Sequence, residues 1–126
     1  RKATDHMDPF EVWGRPEVTR DVLYVDDFAR AVVLLLAHEE LTFDVFNLGA
    51  GETITVADAV ALTLEAADHR PAEIRYSQTA PSTIRFRALD CSRIRQALGW
   101  TPQITVPEGV RRTSEWWRAN RSWWKK

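Results

Sequence analysis

Residues 22–38, VLYVDDFARAVVLLLAH, decide the fold class of this chain. Residues 22–25 are apolar at every position, which predicts a strand buried on both faces, as in a parallel sheet. Asp26 is the predicted N-cap of a following helix, and Asp27 adds negative charge to the first turn, where the helix dipole favours it. The helix should run to about His38. Because it is apolar around most of its circumference, we expect it to be buried against a sheet or a second layer.

Strands and helices alternate on both sides of this unit. Further strands are predicted at residues 10–13, 43–46 and 73–76, further helices at residues 55–69, at 92–98 and from Pro107 onward, and a loop at residues 78–84. The helix ends carry their usual signals, because Thr55 with Asp58 approximates a capping box and Gly99 suits the left-handed position after a helix. This order predicts an α/β protein with at least some parallel strand pairing.

The composition is that of one globular domain, residues 1–126. The chain is 44% hydrophobic and 28% charged, with a formal net charge of −1. Cys91 is the single cysteine, which excludes a disulfide framework or a cysteine-based metal site within one copy and favours a cytoplasmic location. The longest apolar stretch, residues 31–37, is too short to span a membrane. We expect no secretion signal, and the start at Arg1 rather than at Met favours a piece of a longer protein.

Charge is distributed unevenly along the chain. Residues 1–69 carry 5 basic and 14 acidic side chains, whereas residues 70–126 carry 12 basic and 4 acidic ones. Most of the basic residues are arginines, whose planar guanidinium groups suit phosphates and carboxylates. Two interpretations stay open: a second half that binds an anionic ligand, or two halves that neutralise each other in the folded protein.

The C-terminal segment, residues 111–126, is basic and contains four tryptophans. Such a segment can contact nucleic acid or a membrane surface. The near-zero net charge of the chain argues against a strong electrostatic footprint on nucleic acid. We therefore expect Trp116 and Trp117 to pack within a helix and the remainder to be a solvated end, with neither nucleic acid nor a membrane as a partner.

Patterns typical of catalytic or metal sites are scarce. His6, His38 and His69 fall in a loop and at two predicted helix ends, where a histidine most often serves the helix dipole. Residues 49–51 form a G-x-G, but the third glycine is absent and no helix begins there, so they are a weak indication of a dinucleotide site. The residues alone therefore predict no catalytic group and no metal ligand.

Several short motifs follow one another in a characteristic order: Trp13-Gly14, RDVLYVDD at residues 20–27, VFNLGAG at 45–51, ITV at 54–56, PSTIRFRALD at 81–90, LGWTP at 98–102 and PEG at 107–109. Together they resemble the C-terminal half of extended short-chain dehydrogenases/reductases (SDRs), the NAD(P)-dependent nucleotide-sugar epimerases, dehydratases and reductases. The resemblance covers residues 12–117 and is greatest to GDP-L-fucose synthase-like and UDP-glucose 4-epimerase-like members. It implies the substrate-binding portion of a Rossmann-type α/β enzyme, without the N-terminal Gly-rich cofactor-binding part.

The resemblance also implies a substrate site. Arg20 occupies the position of the family's arginine before the buried strand, and Arg85 that of the arginine in a late substrate loop. Both commonly hold the diphosphate of the nucleotide. Arg87 shares a face with Arg85 if the chain is extended there, and Trp13 would lie near the nucleotide sugar. The alternatives are surface arginines and a core tryptophan. Residues 82–84 depart from the family pattern, in which many relatives place a glycine and an acid.

Two features of the family are absent from this sequence. The Gly-rich turn that binds NAD or NADP is missing, and so is the Tyr-x-x-x-Lys pair, since Tyr24 is followed four residues later by Phe28 and Tyr76 by Ala80. Hydride transfer needs the cofactor. We therefore expect a chain that holds the nucleoside diphosphate of a UDP- or GDP-sugar, binds no cofactor alone and is catalytically inactive in isolation.

The expected partner of this chain is an N-terminal part that carries NAD or NADP. Without that part, the predicted strands at residues 22–25 and 43–46 would expose their edges and the helix between them its apolar surface, which favours self-association. An alternative of a different class is a free-standing, non-catalytic module that binds a nucleotide sugar or assembles with a partner.

Overall fold

The computed structural model describes residues 1–40, 43–77 and 84–124. The strands are β1 (Phe10–Val12), β2 (Thr19–Asp21), β3 (Thr53–Thr55), β4 (Ile74–Tyr76) and β5 (Phe86–Arg87). The helices are α1 (Val25–Leu36), α2 (Val56–Ala66), α3 (Ser92–Leu98), α4 (Val106–Ala119) and α5 (Arg121–Trp124). Strands and helices alternate as predicted, although two of the strands lie at other residues than those predicted. Most of the predicted loop, residues 78–83, lies outside the described residues.

The described strands form two small sheets. In the first, β1 and β4 are parallel, with Phe10 opposite Ile74 and Val12 opposite Tyr76. In the second, the order is β3-β2-β5. The central strand β2 is antiparallel to β3 and parallel to β5. The predicted α/β class with some parallel pairing is therefore confirmed.

Two separate apolar clusters hold these elements together. The first contains Ala3, Phe10, Leu64 and Ala67 and joins the N-terminal turn and β1 to α2. The second contains Ala31, Cys91, Ile94 and Trp100 and joins α1 to α3. Ile94 is completely buried and Trp100 is 2% exposed, so the second cluster is well closed against water.

Asp27 is a buried structural carboxylate, and the predicted cap of α1 is wrong. The N-cap is Tyr24 and the helix begins at Val25, so Asp26 lies inside the first turn. Asp27 is only 2% exposed. Its two oxygens accept hydrogen bonds from the backbone N–H of Gln103 at 3.0 Å and of Ile104 at 2.9 Å, and Oδ1 accepts one from Arg30 at 2.7 Å. The carboxylate therefore anchors the segment before α4 onto the start of α1.

The predicted strand at residues 22–25 is also wrong. The strand lies earlier, at β2, and the apolar run leaves the sheet directly after it. Residues 22–25 instead line a groove of about 360 Å³ opposite Ile104, Val106 and Val110. Of these residues, Leu23 packs against the buried cluster that contains Ile94 and Trp100, whereas Val22 and Val25 are 44% and 63% exposed.

Residues 43–46 form no regular strand, contrary to the prediction. Within the described chain no strand runs beside them to complete a ladder. The side chain of Arg93 from α3 replaces such a neighbour, because it donates a hydrogen bond to the carbonyl of Val45 at 3.1 Å and forms an ion pair with Asp44. Its guanidinium also lies 5.5 Å from the ring centre of Phe46.

Helix α1 is far less buried than predicted. Only Asp27 and Ala31 are buried among its residues. Val25 and Val33 are 63% and 64% exposed, and Leu36 is 84% exposed. The described elements therefore supply no second layer over this apolar face of α1.

Local helix signals were predicted correctly. The side chain of Thr55 caps α2 by accepting a hydrogen bond from the N–H of Asp58. Gly99 ends α3 with a φ of +62°, the left-handed conformation expected of it. Pro107 lies in the first turn of α4. No helix within the described ranges is long and apolar enough to cross a membrane.

Glu108, in the first turn of α4, provides a test of the local electrostatics. Hydrogen bonds from Arg111, which has the larger effect, and from Arg112 lower the pKa of Glu108 to about 2. Because this pKa is below that of a glutamate in an unfolded chain, the ion pairs stabilise the fold above about pH 4.3 and are lost as the pH falls towards 2. We expect an NMR titration of the Glu108 carboxyl to have its midpoint near pH 2. An ordinary glutamate midpoint would contradict the ion-pair geometry.

Candidate functional site

Arg20 and Arg87 lie side by side on the three-stranded sheet. Arg20 in β2 is the register partner of Arg87 in the parallel strand β5. Register partners on adjacent strands, about 4.8 Å apart, point to the same face of a sheet. The two guanidinium groups, 67 positions apart in the sequence, therefore start from neighbouring points on one surface.

Arg85 joins this pair from the residue just before β5. Its carbonyl accepts a hydrogen bond from the backbone N–H of Thr19 at 2.9 Å, which continues the ladder between β2 and β5. The structure thus brings three of the four predicted site residues together on one strand pair. We refer to Arg20, Arg85 and Arg87 as the arginine cluster.

Charge in the arginine cluster is largely uncompensated. Arg85 and Arg87 are exposed, and within the described part of the chain neither is within 4.0 Å of a carboxylate. Many other arginines do have such a partner: Arg1, Arg30, Arg75, Arg93, Arg111, Arg112 and Arg121. Ion pairs do join the two halves at Asp5–Arg121, Asp26–Arg112 and Asp44–Arg93, whereas the described residues give Arg85 and Arg87 no such pair.

Arg20 is also hydrogen-bonded to the backbone of β2 and of the segment just before β5. It is half-buried, and its Nη1 donates hydrogen bonds to the carbonyls of Thr19 at 2.7 Å and Ile84 at 3.0 Å. Ile84 lies directly before Arg85, so this hydrogen bond ties Arg20 to the entry of β5.

Trp13 lies apart from the arginine cluster in the topology. It follows β1, which belongs to the other sheet. The side chain is 80% exposed, so the alternative of a core tryptophan is wrong. Trp13 lines a groove of about 430 Å³ together with Tyr76 and Ser77 at the end of β4. An exposed indole beside such a groove can stack on a planar ligand.

Asp21, next to Arg20, makes structural contacts that the sequence analysis did not anticipate. Its Oδ1 accepts a hydrogen bond from the N–H of Ala50 at 2.6 Å, and its Oδ2 is 3.4 Å from the N–H of Leu89. Both partners are distant in sequence, so no local pattern indicates these hydrogen bonds.

The G-x-G of residues 49–51 does not fit NAD or NADP, the cofactors that the family resemblance implies. A Cβ at Gly49 would lie 2.5 Å from Oδ2 of Asp21, so a carboxylate occupies the space that the missing side chain leaves. That negative charge opposes a pyrophosphate, and the next helix, α2, begins only at Val56. The loop is therefore a packing element.

His69 and Cys91 lie in structural environments. His69 is buried, and its Nε2–H donates to the carbonyl of Met7 at 2.9 Å. Burial raises the pKa of the Cys91 thiol, which makes it a poor nucleophile. Among the described residues, no three histidine, cysteine or acidic side chains come together as a metal site.

Comparison with known proteins identifies similar enzymes. A family model described as GDP-mannose 4,6 dehydratase matches residues 2–113. The dTDP-glucose 4,6-dehydratase of Salmonella typhimurium is 30% identical over 122 residues, which cover 91% of this chain and 34% of that protein. The putative GDP-L-fucose synthase 2 of Arabidopsis thaliana is 30% identical over 116 residues, which cover 92% of this chain and 34% of that protein.

Solved structures agree with these sequence matches. The UDP-glucose 4-epimerase of Thermotoga maritima, solved with UDP-glucose, superposes with a TM-score of 0.83 at 28% identity, over 95% of this chain and 38% of that chain. Other similar structures were solved with NADPH or NAD bound. The chain spans about a third of the length of the curated relatives it matches.

Proposed function

Because the chain belongs to the GDP-mannose 4,6 dehydratase family of extended SDRs, we propose that it is the substrate-binding part of an NAD(P)-dependent nucleotide-sugar epimerase, dehydratase or reductase. In this proposal the arginine cluster holds the diphosphate of a UDP- or GDP-sugar. Guanidinium groups match phosphate geometry through paired N–H donors, which fixes the orientation of the ligand as well as its affinity.

The register pairing of Arg20 with Arg87 is the observation that carries this proposal. It supports a surface on which two arginine side chains leave the same face of adjacent strands, with Arg85 beside them. The absence of carboxylate partners for Arg85 and Arg87 within the described ranges supports an external anion as their counterion. A diphosphate carries enough negative charge for several such donors.

Trp13 has a separate role in the proposal. Its exposed indole and the neighbouring Tyr76 would contact the base or the sugar of the same ligand, at the groove beside β1 and β4. An aromatic ring provides a flat apolar surface at low cost in side-chain entropy.

The isolated chain is proposed to have no turnover. Hydride chemistry is supplied by NAD or NADP when bound to a complete enzyme. In this chain the G-x-G loop is closed by Asp21, and the sequence contains no Tyr-x-x-x-Lys pair. The contribution of its own residues is to bind and orient the substrate.

The partner in this proposal is the cofactor-binding part found in the longer relatives. The exposed apolar residues of α1, such as Val25, Val33 and Leu36, would be covered by it. Without it, we expect copies of the isolated chain to self-associate through this face, which sedimentation at increasing concentration would reveal. The proposed compartment is the cytoplasm, in keeping with the single, reduced Cys91.

Calorimetric titration with nucleotides tests the proposed ligand. UDP, GDP and dTDP are compared with UMP and GMP; dTDP is included because the Salmonella relative is named for a dTDP-sugar. We expect at least one diphosphate to bind about tenfold more tightly than a monophosphate, because the second phosphate adds a charge-assisted contact of about 1.5 kcal/mol or more. Equal affinities for monophosphates and diphosphates would contradict a site built for the diphosphate.

A further inference from the structure

The carboxylate of Asp21 joins three parts of the chain at the end of the central strand β2. We propose that Asp21 is a positioning residue, which holds β5 and its arginines in register with Arg20. The proposal rests on the proposed function, because it deepens the account of the same diphosphate site. It concerns a residue that would never touch the ligand itself.

The two oxygens of Asp21 reach the segments on either side of β2. Oδ1 accepts from Ala50, in the loop that leads to β3, at 2.6 Å. Oδ2 faces the N–H of Leu89, two residues after β5, at 3.4 Å. Because β3 and β5 flank β2 in the sheet, one carboxylate ties both outer strands to the central strand. Arg87 is two residues from the Leu89 contact.

Gly49 makes this approach possible. A Cβ at that position would lie 2.5 Å from Oδ2 and 2.9 Å from Cγ of Asp21. No real Cβ contact is that short, so a side chain at position 49 would push the carboxylate away. Glycine is required at position 49 because a side chain there would collide with the Asp21 carboxylate.

Other contacts join the loop before β3 to the segment after β5 without Asp21. Asn47 donates from Nδ2 to the carbonyl of Asp90 at 3.2 Å, and the Cys91 thiol lies 3.9 Å from the carbonyl of Gly49. Asp21 is not itself a member of the buried cluster of Ala31, Cys91, Ile94 and Trp100. Because these contacts remain, the chain should stay folded when the Asp21 carboxylate is lost. The loss should act on the register between β5 and β2, which the carboxylate holds.

The test compares Asp21→Asn and Gly49→Ala with a control, Ile94→Val. Asparagine keeps the shape of the side chain but loses the charge and one acceptor, whereas Gly49→Ala displaces an intact carboxylate. Ile94→Val removes one carbon from the buried cluster of Ala31, Cys91, Ile94 and Trp100, which contains none of the three arginines. It should lower the melting temperature through the core alone. For each variant we would measure the affinity for UDP and GDP below its melting transition. We would also measure the NOE contacts between Thr19 and Phe86 without ligand.

We expect both Asp21→Asn and Gly49→Ala to weaken nucleotide binding by about tenfold and to lose the contacts between Thr19 and Phe86. Ile94→Val should lower the melting temperature and leave affinity and contacts unchanged. Unchanged affinity in folded Asp21→Asn and Gly49→Ala would overturn the proposal, as would an equal affinity loss in Ile94→Val.

The two proposals fail in different ways. If the unmodified chain binds none of the nucleotides, the proposed function fails. The NOE contacts between β2 and β5 still decide whether Asp21 sets the register. Contacts that persist in both variants would overturn the positioning role whatever the nucleotide result.

Discussion

Replacing Asp27 with alanine is expected to lower the free energy of unfolding by about 3 to 5 kcal/mol, the range for removing one partner of a buried charge pair. The carboxylate is 2% exposed and accepts hydrogen bonds from Arg30 and from the backbone N–H groups of Gln103 and Ile104. Alanine would leave these donors without their acceptor, and each buried donor without a partner costs about 1 to 3 kcal/mol.

Asp26→Ala is the matched control, since it removes the same group from the adjacent position. The side chain of Asp26 is 64% exposed, and its ion pair with Arg112 spans 3.5 Å. Exposed pairs of this kind contribute about 1 kcal/mol or less. Urea denaturation followed by tryptophan fluorescence measures both variants, because Trp100 donates from Nε1 to the carbonyl of Asp27 at 3.2 Å. Equal losses in the two variants would show that Asp27 does not anchor the fold.

Replacing Arg85 and Arg87 together with alanine is expected to abolish measurable diphosphate binding. A hydrogen bond from a guanidinium to a charged group contributes about 1.5 to 3 kcal/mol. Each arginine therefore accounts for roughly a tenfold to hundredfold change in affinity. Both side chains are exposed, so the double variant should unfold at the same denaturant concentration as the unmodified chain. Calorimetric titration with UDP or GDP measures the loss.

Single replacements of the same arginines separate a built site from general attraction to positive charge. Arg70→Ala is the control, because Arg70 is also exposed and carries the same charge. If Arg70→Ala weakens binding as much as Arg87→Ala, the affinity comes from net charge alone. The arginine cluster would then have no special role.

Features set by local sequence were predictable. The cap at Thr55, the left-handed Gly99 and the proline in the first turn of α4 each depend on a few neighbouring residues. The strand at the start of the chain, β1, also followed from a short alternation. At these positions the backbone conformation depends on residues only a few positions away in the sequence.

Features set by distant contacts were not predictable. The apolar run at residues 22–25 is as typical of a buried strand as of a segment that lines a groove beside α4, and only the tertiary structure distinguishes the two. Residues 43–46 have strand composition but lack a neighbouring strand in the described chain. Asp27 looked like a helix-dipole residue because its partners, Gln103 and Ile104, lie more than 70 positions away.

The candidate site shows the same division. Resemblance to a family indicated Arg20 and Arg85, and the extended spacing from Arg85 added Arg87, but nothing in the residues alone required Arg20 to meet the other two. Their meeting depends on the pairing of β2 with β5. Asp21 was missed because a carboxylate beside an arginine has no local signature of the loops it holds.

The most direct test of the central claim is an amide proton–nitrogen correlation spectrum of the chain, titrated with UDP, with GDP and with NAD as a control. The account predicts that UDP or GDP shifts the amides of β2 and of residues 85–87, and that NAD leaves the amides of residues 49–51 in place. Shifts that avoid the arginine cluster, or that persist unchanged after Arg85 and Arg87 are both replaced by alanine, would contradict it.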